Sequence, residues 1–332
     1  MLRPGGPDAL ARRQLGATPV FVTELSFGGA PIGNMFAALS DEAARATVDA
    51  AWEGGIRTFD TAPFYGRGLS ERRLGAALRP HNRDEYVVST KVGRLLEPAG
   101  PGSASGGADY APRFDMRFDM RFDMRFDFSA DGVRRSLAGS LARLGLDRVD
   151  IALIHDPDDH GEQAFREAYP ALEKLRAEGT VRAIGVGMNQ AAMLTRFIVD
   201  TDVDLVMVAG RYTLLDQSAA DELLPAAQRR GVPVLAAGVF NSGVLAAPVP
   251  GASYDYAAAP EALISRARVL EETCARFGVP LRAAAARFPL THPAVASVLI
   301  GASSAAEITD AIQLRRLRIP AQLWESLPRE NR

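Results

Sequence analysis

The sequence has almost no cysteine and no excess charge of either sign, and both absences exclude classes of protein. Cys274 is the one cysteine among 332 residues, so an intrachain disulfide is excluded. Its neighbourhood, LEETCARFG, holds no CxxC and no histidine, and we therefore expect no bound metal and no thiol redox centre. Lys and Arg number 38 against 40 Asp and Glu. This balance provides no basic field for nucleic acid or an anionic membrane, so we expect neither as a partner.

Long hydrophobic runs are absent as well. The N-terminal stretch MLRPGGPDALARRQLG lacks the apolar core of about 7–15 residues that a signal peptide needs, and no uncharged apolar stretch of about 18 residues occurs elsewhere. Hydrophobic residues make up 47% of the chain and charged residues 23%, which is typical of a globular protein with a large core. These features predict a soluble, cytoplasmic protein.

Strand and helix patterns alternate along most of the chain. The segment RQLGATPVFVTELSFGGAPIG predicts a short β-hairpin that runs into a first strand near Leu25. Val- and Ile-rich runs then alternate with segments of helical periodicity, and the strand count reaches eight. The later strands are predicted at 56–62, 86–92, 149–155, 181–187, 205–209, 232–239 and 297–300, and the helices at 41–53, 70–78, 131–144, 162–177, 191–199, 217–229, 260–277, 282–290 and 305–314.

This alternation predicts a closed barrel of parallel strands. Strands that alternate with helices form right-handed βαβ units and a parallel sheet, and eight such units favour a (β/α)8 TIM barrel. An open doubly wound sheet is the alternative, but the turn after the first strand, FGGAPIGN, lacks the GxGxxG spacing of that fold. We predict one barrel domain over residues 1–332 with a short N-terminal hairpin.

Four residues suited to proton transfer follow three neighbouring strands of the predicted barrel. Asp60 ends the second strand and Tyr65 lies in the loop after it, while Lys91 ends the third strand and His155 the fourth. The carboxyl ends of barrel strands converge on the face where active sites form. An ammonium beside a phenol lowers its pKa from about 10, so we expect Lys91 to activate Tyr65. Asp60 would then balance the charge of Lys91, and His155 would orient a substrate carbonyl or take part in the proton relay. Each residue alone has an ordinary structural explanation, but the four together predict catalysis.

The segments around these residues resemble the aldo-keto reductases. The similarity extends over the chain from about Arg13, and the matching segments occur in the family's order: FDTAPFYGRGLSERRLGAAL, STKVG, SLARLGLDRVDIALIHD, VRAIGVGMN and VLIGASSAAEI. The resemblance implies a nicotinamide-dependent oxidoreductase in which Tyr65 is the acid or base. The implied catalytic tetrad is Asp60, Tyr65, Lys91 and His155.

The resemblance also implies where the cofactor binds. Asn189, after the fifth strand, would contact the nicotinamide amide, although Met188 stands where the family usually has serine. Tyr212, after the sixth strand, would stack on the nicotinamide ring, although Ala209 stands where the family often has glutamine. Two loops complete the predicted site, one to wrap the pyrophosphate with backbone N–H groups and one to bind phosphate or ribose at a helix start. They contain Gly238, Asn241, Ser242 and Gly243 after the seventh strand, and Gly301, Ser303 and Ser304 after the eighth.

The last of these loops carries no positive charge, and this bears on the choice of cofactor. Family members that prefer NADP place Lys or Arg in this stretch to meet the 2′-phosphate, whereas this chain has Ala302, Ser303 and Ile308 at the matching positions. A phosphate without a cation loses charge-assisted hydrogen bonds worth about 1.5–3 kcal/mol each. We therefore expect NAD as the favoured cofactor, and NADP remains an alternative.

A four-residue repeat interrupts the pattern after the third strand. Residues 113–128 read RFDMRFDMRFDMRFDF within a long loop that extends over 94–129. In a strand, Arg and Asp would lie on one side and Phe and Met on the other, which predicts an amphipathic strand or hairpin. The repeat could cover the substrate, support self-association, or be a tolerated loop expansion, and the last two are favoured together over the first.

Within the family, FGGAPIGN, TAPFYGRGLSE, AGRYTLLDQ and GVFNSG resemble the threo-aldose (L-fucose or L-galactose type) and pyridoxal dehydrogenases. This resemblance implies a small-molecule sugar substrate, oxidised at C1 to a lactone. A reductase acting on another aldehyde or ketone is the first alternative. A cofactor-loaded binding protein, like the potassium-channel β subunits of the family, is the second.

Overall fold

A computed structural model describes residues 10–98, 122–255 and 257–327 of the chain. Its centre is a closed barrel of eight parallel strands, in which each strand pairs with the next one along the barrel and the last pairs with the first. The barrel strands are β3 (Leu25–Gly28), β4 (Thr58–Asp60), β5 (Val87–Val92), β8 (Ile151–His155), β9 (Ala183–Met188), β10 (Leu205–Ala209), β11 (Val234–Ala237) and β14 (Val295–Gly301). The predicted (β/α)8 barrel is confirmed.

The remaining strands form three antiparallel pairs outside the barrel. They are β1 (Arg12–Gln14) with β2 (Phe21–Thr23), β6 (Arg94–Pro98) with β7 (Phe122–Phe126), and β12 (Ser253–Tyr254) with β13 (Ala257–Ala258). The first pair is the predicted N-terminal hairpin. Its Leu15, Val20 and Val22 belong to one buried cluster with Leu153 and Leu235 from the barrel strands, so the hairpin contributes apolar side chains to the same core.

Helices follow the barrel strands and cover them. They are α1 (Asp41–Glu53), α2 (Leu69–Leu78), α3 (Ala130–Leu144), α4 (Gly161–Gln163), α5 (Tyr169–Ala177), α6 (Ala191–Asp200), α7 (Leu223–Arg230), α8 (Glu261–Arg276), α9 (Leu281–Arg287), α10 (Ala305–Leu314) and α11 (Ala321–Ser326). A π-helical turn at Ala164–Ala168 joins α4 to α5. No helix among the described residues is long and apolar enough to cross a membrane.

One helix begins later than its sequence pattern predicts. A helix was expected from Gln217, but α7 starts at Leu223, after a short 3-10 turn at Ser218–Ala220. Local hydrogen bonds explain the difference, because Thr213 Oγ1 accepts from the backbone N–H of Asp216 at 3.0 Å and Asp216 Oδ1 accepts from that of Ser218 at 3.0 Å. Such side-chain bonds compete with helix formation and favour a turn.

Residues from the third and fourth repeat units form an antiparallel strand pair with β6 beside the barrel mouth. In β7, residues 122–126 pair with β6, and Arg94 lies opposite Phe126 in the register. The predicted strand is present over these residues, but its apolar side is incompletely covered, since Phe126 is 40% exposed. Arg67, in the loop after β4, donates from its guanidinium to the carbonyl of Phe122 at 2.5 Å. The first two units and the first residue of the third, at 113–121, lie outside the described residues.

A deletion tests whether the number of repeat units matters. Removal of residues 117–124 joins Met116 to Arg125, so the unit at 113–116 has the same sequence as the unit at 121–124 that it replaces. The hairpin can then form with the same residues in the same register, because eight residues keep the alternation of a strand in phase. We expect the melting temperature and the oligomeric state to be unchanged and turnover to stay within about twofold of the parent, because surface loops tolerate changes of length. A shift in mass would instead assign the extra units to self-association.

Candidate active site

Three neighbouring barrel strands carry polar side chains at or near their carboxyl ends. Asp60 is the last residue of β4, Lys91 lies near the end of β5, and His155 is the last residue of β8. In the register, Asp60 pairs with Ser89 and Lys91 with Leu153. Because successive residues of a strand face opposite sides, His155 shares the side of Leu153, which belongs to the barrel's buried cluster.

Lys91 is the centre of this group. Its Nζ donates to Asp60 Oδ2 at 2.6 Å, to the carbonyl of Thr61 at 3.1 Å and to Tyr65 Oη at 3.2 Å. The ammonium is 2% exposed, so three acceptors satisfy a charge that is removed from water. The structure therefore brings three of the four predicted catalytic residues into direct hydrogen-bond contact.

Two glycines hold the loop that carries Tyr65. A Cβ on Gly33 would lie 2.8 Å from the backbone C and O of Tyr65, and a Cβ on Gly66 would lie 2.2 Å from the carbonyl of Gly33. Gly66 also has φ +63°, a conformation that favours glycine. The backbones of the β3 and β4 loops can therefore approach closely enough to fix the phenol against Lys91.

Charge and burial set the protonation states of this pair. Burial alone would lower the pKa of Lys91, but the Asp60 carboxylate and Tyr65 outweigh it and raise the pKa above its ordinary value. Burial raises the pKa of the Tyr65 phenol, and the Lys91 ammonium only partly counteracts it. Lys91 thus lowers the pKa of Tyr65, as expected, but burial has the larger effect and the pKa lies above its ordinary value. Loss of hydration outweighs the attraction, and the phenol is a neutral proton donor at neutral pH.

His155 completes the group. Its ring lies 5.9 Å from the Tyr65 ring, centroid to centroid, at an interplanar angle of 87°. Burial, together with the charges of Arg94 and Lys91, lowers the pKa of His155 well below its ordinary value. The imidazole is therefore neutral at physiological pH, which suits a hydrogen-bonding role and not that of a charged acid.

Arg94 and Asp156 were not predicted from the sequence, although both lie beside His155. Arg94 Nη2 donates to Asp156 Oδ2 at 2.6 Å, and the same carboxylate oxygen is 3.4 Å from His155 Nε2. The available signal was position: Asp156 directly follows a barrel strand, and Arg94 comes two residues after another. Charged residues at those points lie at the catalytic face of a barrel.

The predicted nicotinamide contacts receive uneven support. Asn189 directly follows β9 and is partly exposed, in keeping with a residue that meets a ligand. Tyr212 is 8% exposed, and its ring packs against Phe288 at 5.1 Å and His292 at 6.0 Å. Tyr212 therefore packs at the edge of the core, and its use as a stacking platform stays a prediction.

The loop after β11 has the backbone form that was expected of an anion-binding turn. Asn241, Ser242 and Gly243 are three consecutive residues with positive φ (46°, 59° and 111°), and Gly238 precedes them with φ 62°. The N–H groups of Asn241 and Gly243 already donate within the loop, to the carbonyls of Gly238 and Phe240. Asn241 Nδ2 bonds the carbonyl of Gly210 at 3.2 Å, while its buried Oδ1 has no partner in the described structure. The unpartnered Asn241 Oδ1 could accept a hydrogen bond from a bound dinucleotide. Consecutive residues with positive φ suit a turn that binds an anion.

The start of α10 is capped by the chain itself. Ser304 Oγ accepts from the N–H of Glu307 at 3.2 Å, and Glu307 Oε2 accepts from the N–H of Ser303 at 2.8 Å. Gly301 ends β14 immediately before this turn, beside Gly28 of β3. A carboxylate therefore lies where the sequence predicted a cofactor phosphate or ribose.

A closed (β/α)8 barrel with a buried Lys–Asp–Tyr group and a histidine at its mouth defines a barrel oxidoreductase. Residues 24–329 match the model of the Aldo/keto reductase family, and the chain belongs to that family. It is 47% identical over 314 residues to a D-threo-aldose 1-dehydrogenase of a Pseudomonas species, with 94% of each chain covered. It is 39% identical to a pyridoxal 4-dehydrogenase of Microbacterium luteolum, with 97% of this chain and 98% of the relative covered.

A solved structure gives the same result for the fold. The holo form of an aldo-keto reductase from Bacillus halodurans superposes with a TM-score of 0.73 at 25% identity, covering 95% of this chain and 94% of that one. The family prediction is confirmed, and so is the resemblance to the threo-aldose dehydrogenases. The protein is an NAD(P)-dependent oxidoreductase.

Proposed function

We propose that the protein oxidises an aldose at C1 to the lactone, using NAD. The observation that carries the chemistry is the contact of Lys91 Nζ with both Tyr65 Oη and Asp60 Oδ2. The relatives named for threo-aldoses and pyridoxal support a hydroxyl-bearing or aromatic carbonyl substrate. The bound nicotinamide supplies the hydride acceptor, and Asn189 and the loop with Asn241 are the residues proposed to hold it.

Each member of the tetrad has a defined task in this proposal. In the oxidation, the Tyr65 phenolate accepts the proton of the C1 hydroxyl as a hydride leaves C1 for the nicotinamide. The phenol then releases this proton to solvent, and Lys91 stabilises the phenolate that is regenerated. Asp60 keeps Lys91 charged inside the barrel. His155, neutral and buried, hydrogen-bonds the oxygen that becomes the carbonyl.

The raised pKa of Tyr65 favours a second candidate, a reductase that acts on another aldehyde or ketone. A neutral phenol is ready to donate a proton to a carbonyl oxygen, which is the reductive direction. A screen of aldoses with NAD and of aldehydes with NADH, followed by NADH absorbance, separates these directions. Turnover of aldehydes without any aldose oxidation would favour the reductase. No turnover at all would favour a cofactor-loaded binding protein.

A pH profile distinguishes Tyr65 from His155 as the proton donor. In the reduction direction, the donor must be protonated, and Tyr65 keeps its proton until pH exceeds its raised pKa, above about 10. We expect kcat/KM at saturating NADH to stay level from pH 6 to about 9 and to fall only at higher pH. If His155 were the donor, kcat/KM would fall as pH rises through the lowered pKa of His155, which lies well below 6.5. Activity would then already be low between pH 6 and 9.

The preference for NAD over NADP rests on the charge at the start of α10. Glu307 presents a carboxylate that bonds the N–H of Ser303, and like charge repels a 2′-phosphate there. Ala302 and Ile308 are buried and uncharged, and Arg315, further along, pairs with Glu24. A carboxylate can instead accept hydrogen bonds from the two ribose hydroxyls of NAD.

Substitutions at this helix start test the preference. We expect NAD to bind more tightly than NADP, and Ser303→Arg to narrow the gap by supplying a cation. Adding Glu307→Gln to Ser303→Arg should narrow the difference in affinity further, since Glu307 would otherwise neutralise the new arginine. Glu261→Gln, in the first turn of α8, removes the same type of helix-start charge elsewhere and should change nothing. Cofactor fluorescence titration measures the four proteins, and tighter NADP binding by the parent would contradict the proposal.

A further inference from the structure

The residue after His155 is held in an uncommon conformation at the barrel mouth. Asp156 has φ +40°, and its N–H donates to the carbonyl of Gly187 at 3.0 Å. Its carboxylate oxygen Oδ2 lies 3.4 Å from His155 Nε2. The side chain is 28% exposed, whereas that of His155 is 6% exposed, so the carboxylate reaches further toward the opening than the imidazole does.

Arg94 holds this carboxylate in place. Its guanidinium lies 4.6 Å from the ring centroid of Phe64 and 5.1 Å from that of Phe126, with Nη2 donating to Asp156 Oδ2 at 2.6 Å. The side chain is 4% exposed, and its Nε and Nη1 are buried without hydrogen-bond partners in the described structure.

A buried guanidinium with two nitrogen atoms that lack hydrogen-bond acceptors contributes little to the stability of a fold. Buried ion pairs contribute little to stability even when fully bonded, and this one leaves two donors unsatisfied. Its cost is explained if the pair has a task at the site, because locally unfavourable groups concentrate where function needs them. The pair adjoins the catalytic histidine, so the task concerns the substrate.

We propose that Asp156, positioned by Arg94, accepts a hydrogen bond from a substrate hydroxyl on the carbon next to the reacting carbon. The carboxylate neighbours His155, which is assigned to the reacting oxygen, and an adjacent hydroxyl lies within reach of both groups. Asp156 then selects α-hydroxy carbonyl compounds, including aldoses, over simple aldehydes. This inference rests on the proposed function for its link to sugars, but its test does not need sugar oxidation.

The test uses two aldehydes that differ only in the group concerned. Glycolaldehyde carries the hydroxyl next to its carbonyl, and propanal carries a methyl group there. In NADH-dependent reduction, we expect Asp156→Asn to lower the ratio of kcat/KM for glycolaldehyde to that for propanal by about tenfold or more, as the loss of a charge-assisted hydrogen bond implies. Asparagine tolerates positive φ as aspartate does, so the backbone is preserved. Asp156→Gly, which also suits a positive φ and removes the carboxylate, provides a second variant if the first folds poorly, with the same fall in the ratio expected.

A matched pair at the other end of the barrel provides the control. Arg83 Nη2 donates to Asp150 Oδ2 at 2.6 Å, and Asp150 immediately precedes β8, whereas Asp156 immediately follows it. Asp150→Asn should leave the ratio unchanged. For Arg94, we expect Arg94→Met to lower the ratio by raising KM for glycolaldehyde, and Arg94→Lys to restore part of it, whereas a merely structural role would affect both aldehydes alike.

The outcomes are separable. An equal fall for both aldehydes in Asp156→Asn would mean that Asp156 acts through His155, and an unchanged ratio would mean that it touches no hydroxyl; either result overturns the inference. A parent enzyme that discriminates through Asp156 but oxidises no aldose would leave the inference standing and reject the proposed function.

Discussion

Tyr65→Phe is expected to reduce turnover by at least about 10²-fold while cofactor binding stays unchanged. The substitution removes the hydroxyl that accepts from Lys91 Nζ at 3.2 Å and keeps the ring that faces His155. A positioned acid or base contributes a factor of about 10²–10⁴, and no other hydroxyl in the described site contacts Lys91. Steady-state rates and fluorescence titration with NAD measure the two effects.

Tyr86→Phe is the matched control. Tyr86 is buried, directly precedes β5, and packs edge-on against Trp52 and Phe59, at the opposite end of the strand from Lys91. Loss of its hydroxyl should leave turnover per folded molecule unchanged. Normal turnover in Tyr65→Phe would remove Tyr65 from the mechanism and direct attention to His155.

The fold and the tetrad are predictable because they follow from short-range patterns. Alternating periodicities define the barrel, and a barrel gathers its strand ends on one face, so Asp60, Lys91 and His155 follow from their positions alone. Tyr65 is singled out by its position in the loop after the second strand, and the family resemblance implies its role as the acid or base. The contact with Lys91 then depends on the close approach of Gly33 and Gly66, which no local pattern reveals.

The features that were missed all depend on contacts distant in sequence. The Arg94–Asp156 ion pair joins residues 62 positions apart. The packing of Tyr212, assigned to the cofactor from the family resemblance, against Phe288 of a distant segment was likewise not predictable from the sequence. The net shift in the Tyr65 pKa could not be predicted either, because burial depends on the whole barrel mouth whereas the attraction of Lys91 is a single contact.

Lys91→Met is expected to abolish most activity and to destabilise the fold by about 3–5 kcal/mol, the usual cost of removing one partner from a buried ion pair. Asp60 would then be left inside the barrel without its cation, and one of its oxygens, Oδ1, already has no hydrogen-bond partner in the described structure. Chemical denaturation measures the stability, and turnover is compared per folded molecule.

The double substitution Lys91→Met with Asp60→Asn separates stability from catalysis. Asparagine removes the uncompensated charge, so we expect part of the lost free energy of unfolding to return. The double variant should therefore be less destabilised than the sum of the two single variants. Activity should stay low, because the phenol still lacks the ammonium that stabilises its ionised form. Arg83→Met, which breaks the buried pair with Asp150 at the other end of the barrel, should lose stability but keep turnover per folded molecule. If the double variant recovered activity along with stability, Lys91 would serve only to neutralise Asp60, and the proton transfer would have to proceed without a cation at Tyr65.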